Sequence, residues 1–149
     1  MRAVVQRVSE ARVVIDGKNV GEIGHGIMLL VGFAAEDSET EIDYIIDKTV
    51  NLRIFEDAGG KMNLSLADVD GGLLAVPNFT LYGDTRKGRR PGYSSGASPA
   101  IAGEIYNRFV EVLKSRYAKV ETGVFQAEMK VELINDGPVT LLLDSGRLF

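Results

Sequence analysis

An α+β domain with a mainly antiparallel sheet and two principal helices is predicted by three observations. Short β-branched runs bounded by glycine-rich turns recur along the chain. Only two segments carry helical periodicity, and the strands come in runs instead of alternating one for one with helices. A chain of 149 residues buries roughly 70% of the surface its unfolded form exposes, so residues 1–149 are read as one domain.

Residues 2–8 and 12–15, rich in valine around polar positions, predict a first pair of strands. Asp16-Gly17-Lys18 then turns the chain into a third short strand at 19–23. The continuous apolar run at 27–33, Ile-Met-Leu-Leu-Val-Gly-Phe, is of strand length and predicts burial on both faces. Ser38 followed by Glu41 forms a capping box, and Ile42, Ile45, Ile46 and Val50 recur at helical spacing, so 39–52 reads as an amphipathic helix. A short strand and hairpin turn follow at Arg53–Lys61, then a longer strand over 73–82. Pro77 interrupts that strand. Because proline has no ladder donor, the backbone over 77–80 is expected to be irregular and partly unpaired. Ser98 as N-cap, Pro99 at the first helical position and apolar residues at 101, 105, 106, 109, 110 and 113 predict a second helix to about 117. Two last strands are expected at 127–134 and 139–144, separated by Asn135-Asp136-Gly137-Pro138.

Composition removes whole classes of chemistry. Cysteine is absent and His25 is the only histidine, so thiolate nucleophiles, disulfides and His-rich metal sites are excluded. His25 sits between two glycines and reads as a turn residue, and no Gly-x-Ser-x-Gly elbow accompanies it. The glycines at 21, 24 and 26 do not link a strand to a helix, which argues against a nucleotide-phosphate loop. No metal and no cofactor is expected. No apolar run approaches the roughly 18 residues of a membrane span, and the charged N-terminal stretch has no signal-peptide core, so a cytoplasmic protein is expected. With a net charge of −4, contact with a polyanion requires a local patch, and Arg86, Lys87, Arg89 and Arg90 supply one in five positions. The remaining oddities are two segments of unusual backbone, Pro77–Thr80 and Asn135–Thr140, which points to main-chain groups as working parts.

At these two segments the sequence resembles the D-aminoacyl-tRNA deacylases. The resemblance runs through QRVSEARV, NLRIFEDAGGKMNLSL, NFTLYGDTRKGRRP and ETGVFQAEMKVELINDGPVT to the closing LLLDS. One family motif, Asn-x-Gly-Pro-Val-Thr, is intact as Asn135, Gly137, Pro138, Val139 and Thr140; the other, usually Ser-Gln-Phe-Thr-Leu, reads Pro77, Asn78, Phe79, Thr80 and Leu81. The resemblance implies a barrel-like sheet, a homodimer with active sites at the subunit interface, and aminoacyl-tRNA as the partner. It also implies a cis Gly137–Pro138 bond inserted into the partner subunit's site, supported by Arg7, Asn135, Asp136 and Thr140, with Met129 lining an adenosine pocket. A cis bond before proline costs only about 0.5–1 kcal/mol, and glycine lacks the Cβ that would block close approach.

Thr80, Phe79 and Asn78 are the catalytic candidates, and Pro77, Met129, Gly137 and Pro138 the substrate-binding ones. The backbone N–H groups of Phe79 and Thr80 are expected to form an oxyanion hole, while the Phe79 ring is expected in the core. Two other readings stand beside this one. A proline at position 77 also occurs in related deacylases that remove L-alanine, and the altered first motif is compatible with a non-catalytic tRNA-binding module.

Overall fold

A computed structural model describes residues 1–149. The chain runs β1 (Arg2–Ile15), β2 (Lys18–Ile23), β3 (Gly26–Gly32), α1 (Glu39–Asn51), β4 (Phe55–Glu56), β5 (Met62–Leu64) and β6 (Gly72–Pro77). A single 3-10 turn (Phe79–Tyr82) follows, then α2 (Pro99–Arg116), β7 (Val120–Thr122) and β8 (Lys130–Asp144). The main sheet has the order β2-β1-β3-β6-β7 with β8 also on β1, and β4 and β5 form a separate hairpin.

The expected pair of strands at 2–8 and 12–15 is instead one long strand. Its first half pairs with β3 and its second half with β2 on one edge, while β8 occupies the other edge along nearly its whole length. The two strands expected at 127–134 and 139–144 likewise merge into β8, because both segments pair with the same β1. Antiparallel pairing predominates, but β3–β6 and β6–β7 are parallel. Parallel neighbours need long crossovers, and here the connection from β3 contains α1 and the one from β6 contains α2. β7 was not expected from the sequence; three residues are too few for a period to show.

The long β1 changes sides along its length. Ala3 and Val5 belong to the larger core with Ile27, Leu29, Leu73 and Ala75 under the helices, where Ile45, Ile46, Phe109 and Leu113 are packed. Val8, Ala11 and Val13 belong to a second core with Met28, Leu74 and Val76 on the opposite face of β3 and β6. Register shifts in the β1–β8 ladder between Gln6 and Glu10 make the switch possible. The sheet thus curls around the second core, and β3 is buried on both faces as its unbroken apolar run predicts. No helix is long and apolar enough to cross a membrane.

Candidate functional site

A cleft of about 850 Å³ opens at the mouth of the curled sheet. Leu30, Val76 and Val131 form its floor, Pro77, Asn78 and Phe79 one rim, and Tyr93, Phe125, Gln126 and Met129 line it further. The first turn of α2 (Ser98, Pro99, Ala102) forms another wall. Tyr93 is the only lining residue with a titratable side chain, so no carboxylate, histidine or lysine is available there as acid or base.

Strand β6 ends where its chemistry requires. Asn78 N–H donates to Val31 O (2.7 Å) and Gly123 N–H donates to Ala75 O (2.8 Å), so alternate residues of β6 face β3 and β7. By that alternation the Pro77 nitrogen faces the β7 side, where pairing has already stopped at Thr122. Pro77 therefore costs no ladder bond, as a proline at a strand end should not. Gly123 lies beneath it: a Cβ there would come 2.8 Å from Met129 Sδ and 3.4 Å from Pro77 Cδ. Tyr106 holds this corner by donating its hydroxyl to Gly123 O (2.9 Å), and burial pushes its phenol up to about 12.

After Pro77 the chain tightens into the 3-10 turn, with Asn78 as its cap. The Asn78 Oδ1 accepts from Thr80 N–H (3.2 Å) and from the Thr80 hydroxyl (2.5 Å). Two sequence expectations change here. The Thr80 N–H is not free for an oxyanion, and of the expected pair only the Phe79 N–H carries no side-chain cap. Nor is the Phe79 ring in the core: it is 65% exposed, edge-on to Tyr93 at 5.1 Å, because the strand stops at Pro77 and the turn swings residue 79 outward. Met129 is half-buried, packed against the second core while also lining the cleft.

The second unusual segment is a bulge in β8. Gln6 pairs with Thr140 and Val8 with Asn135, so residues 136–139 stand opposite Arg7 alone. Arg7 is buried and fills the gap, donating from Nε to Asp136 O (2.8 Å) and from Nη1 to Ile54 O (2.7 Å). Asn135 ties the bulge's two ends. Its Nδ2 donates to Val139 O (3.1 Å) and Thr140 Oγ1 (3.0 Å), and its Oδ1 accepts from Val139 N–H (2.8 Å). The Gly137–Pro138 bond at the tip is cis. Gly137 has φ +141°, and a Cβ there would meet Val139 Cγ2 at 2.8 Å and Arg7 Nη2 at 3.1 Å, so glycine is required.

Gly137 and Pro138 are exposed and line no part of the cleft of their own chain, whereas Pro77, Asn78, Phe79 and Met129 do. Beside the bulge, Ile134 and Leu142 are 55% and 58% exposed on β8. The basic cluster lies in a loop beside the cleft rim. Arg86 is engaged by Asp84, while Lys87, Arg89 and Arg90 have no acidic partner within ion-pair distance. Sequence reasoning missed Tyr93, Phe125 and Gln126. Their signal was weak: two aromatics and a glutamine within turn-rich segments outside any periodic element.

A family model described as D-Tyr-tRNA(Tyr) deacylase matches residues 4–144. The chain is 56% identical over 149 residues to a D-aminoacyl-tRNA deacylase of Thermosipho africanus and 57% identical to one of Caldicellulosiruptor bescii, each match covering 100% of both chains. Among solved structures it is similar to "c-Myc DNA Unwinding Element Binding Protein", with a TM-score of 0.92 and 39% identity over 97% of this chain and 98% of that one. A probable eukaryotic D-amino acid tRNA deacylase shares the fold at a TM-score of 0.81 and 17% identity, over 95% of this chain and 97% of that one.

Proposed function

Because the chain belongs to the D-Tyr-tRNA(Tyr) deacylase family, we propose that it hydrolyses the ester of D-aminoacyl-tRNA in the cytoplasm, releasing tRNA and the D-amino acid. The observation that carries the reading is the division of the two family motifs. The cleft holds Pro77–Phe79 and Met129 but not Gly137 and Pro138, which stand exposed at the tip of a braced bulge. A homodimer completes the site when Gly137 and Pro138 of one protomer enter the cleft of the other, with the apolar surface at Ile134 and Leu142 buried between them.

In that arrangement the main-chain carbonyls at Gly137 and Pro138 accept from the substrate's α-amino group and crowd the side chain of an L-residue. A D side chain points away from them, and glycine has none to exclude. Selectivity arises by rejection, so mischarged glycyl-tRNA is also hydrolysed. The terminal adenosine occupies the apolar cleft beside Met129.

An activated ester needs a positioned water, a proton acceptor and a donor for the oxyanion. Phe79 N–H is the donor. The Thr80 hydroxyl points its proton at an amide oxygen, which is no base, and the cleft offers none. The neighbouring 2′-hydroxyl of the terminal ribose therefore assists the water, and Thr80, held by Asn78, serves the turn's geometry. Turnover of D-tyrosyl- and glycyl-tRNA without turnover of L-alanyl-tRNA is the expected result. Hydrolysis of L-alanyl-tRNA alone would make this an L-alanine editor, and tRNA binding without hydrolysis a binding module.

A further inference from the structure

The basic loop is closed by an acid. Asp84 and Gly92 exchange both backbone bonds, Asp84 N–H to Gly92 O at 2.7 Å and Gly92 N–H to Asp84 O at 2.9 Å. The Asp84 carboxylate then takes three bonds from Arg86: from its N–H (3.0 Å), its Nε (2.9 Å) and its Nη2 (2.7 Å). Gly88, at φ +72°, lets the chain reverse at the loop's far end. The base is fastened to the cleft, since Gly83 N–H donates to Thr80 O (2.9 Å), Ser95 Oγ donates to Tyr82 O (3.2 Å) and Tyr93 packs on Phe79.

Arg86 thus differs from its neighbours. It is turned back onto the loop's own base, whereas Lys87, Arg89 and Arg90 are exposed without acidic partners. An exposed ion pair alone contributes little. This one shares its carboxylate with a backbone cap and stands on a two-bond bridge, so one residue, Asp84, makes five hydrogen bonds that tie Arg86 to Gly92. The interaction with Arg86 also holds the Asp84 carboxyl far below the usual carboxylate range, so the tie persists throughout neutral and mildly acidic pH.

We propose that Asp84 is a positioning residue for tRNA: it fixes the loop through Arg86 so that Lys87, Arg89 and Arg90 meet acceptor-stem phosphates as a preformed group, and Arg86 itself does not contact RNA. This rests on the tRNA reading above. A preformed loop avoids ordering cost on binding, which is the gain an internal clasp supplies.

Simple electrostatics makes the opposite prediction for the same residue, because removing an acid beside a polyanion strengthens binding. The test is the Michaelis constant for D-tyrosyl-tRNA at several salt concentrations in Asp84→Ala, Asp84→Asn and Arg86→Gln, with 3′-O-D-tyrosyl-adenosine as a substrate lacking the stem. Asp84→Ala and Arg86→Gln are expected to raise the Michaelis constant for tRNA similarly, on the order of tenfold, with kcat and the adenosine substrate unaffected. Asp84→Asn falls between them and wild type, because its amide oxygen still caps Arg86 N–H. Charge reversal at Arg89 and Arg90 is the positive control; it raises the same constant and flattens its salt dependence. An Asp84→Ala constant equal to or below wild type overturns the proposal. So does an equal slowing on the adenosine substrate, or a fall of about 0.7–0.9 in the log–log salt slope for Arg86→Gln, the mark of a lost phosphate contact. Failure of the wild-type protein to hydrolyse D-tyrosyl-tRNA would instead overturn the function on which the inference rests.

Discussion

Residue 80 shows how a single hydrogen bond separates two chemistries. A threonine nucleophile needs a base to take its proton, and the acceptor at 2.5 Å is the Asn78 amide oxygen. Thr80→Ala is therefore expected to retain most of its turnover, while a 2′-deoxy substrate is expected to lose it; single-turnover rates measure both. The reverse pattern would make Thr80 the nucleophile. What the sequence could show at this scale was that Pro77 breaks a strand and that Gly137 and Pro138 are odd in one. It could not show that the departure at position 78 leaves an asparagine short enough to cap its own turn, because that depends on where the next N–H lands. The Phe79 ring illustrates the same limit: an aromatic after four apolar residues reads as core until the strand ends two residues before it.

Among the elements, the bulge in β8 and the corner just after β7 frame the candidate site, and each hangs on one buried side chain. Arg7 satisfies the Ile54 carbonyl in the interior, which would otherwise be buried without a partner, and braces the Asp136 carbonyl of the bulge. Arg7→Leu is expected to cost about 2–4 kcal/mol in denaturant unfolding and to reduce activity beyond that loss, since the bulge loses its brace. Tyr106 carries a pH signature. Burial raises its phenol to about 12, whereas an unfolded tyrosine titrates near 10. Its contribution is thus complete below about pH 10 and is lost as pH rises through the interval to about 12. Tyr106→Phe is expected to flatten stability between those values while costing about 1 kcal/mol at neutral pH for the bond to Gly123 O. Both helices were legible because caps and a 3.6-residue period are local; α1 and α2 end within a residue of their expected limits. The unity of β1 and of β8 was not legible. Each contains residues that break strands locally, and only the shared ladder between them holds both straight.

At the scale of the whole molecule, the exposed finger and the open cleft belong to different protomers in the proposed assembly. A mixing experiment tests this directly. One chain carries Gly137→Ala, which strains the finger, and the other carries Ala127→Trp, which fills the cleft. Each alone is expected to be inactive. Random reassortment puts half the dimers in mixed form with one intact site of two, restoring about a quarter of wild-type activity. No recovery in mixed dimers would place finger and cleft in the same chain. The sequence by itself determined the fold class and both helices, because periodicity, capping and turn chemistry act over a few residues, and its resemblance to a known family pointed to the family and its two motifs. The tertiary structure alone decided that β1 serves two cores, that Pro77 stands where its ladder partner has run out, and that Gly137–Pro138 leaves its own cleft. Those outcomes depend on which distant groups share a ladder or a hydrogen bond, and no local pattern of residues records that.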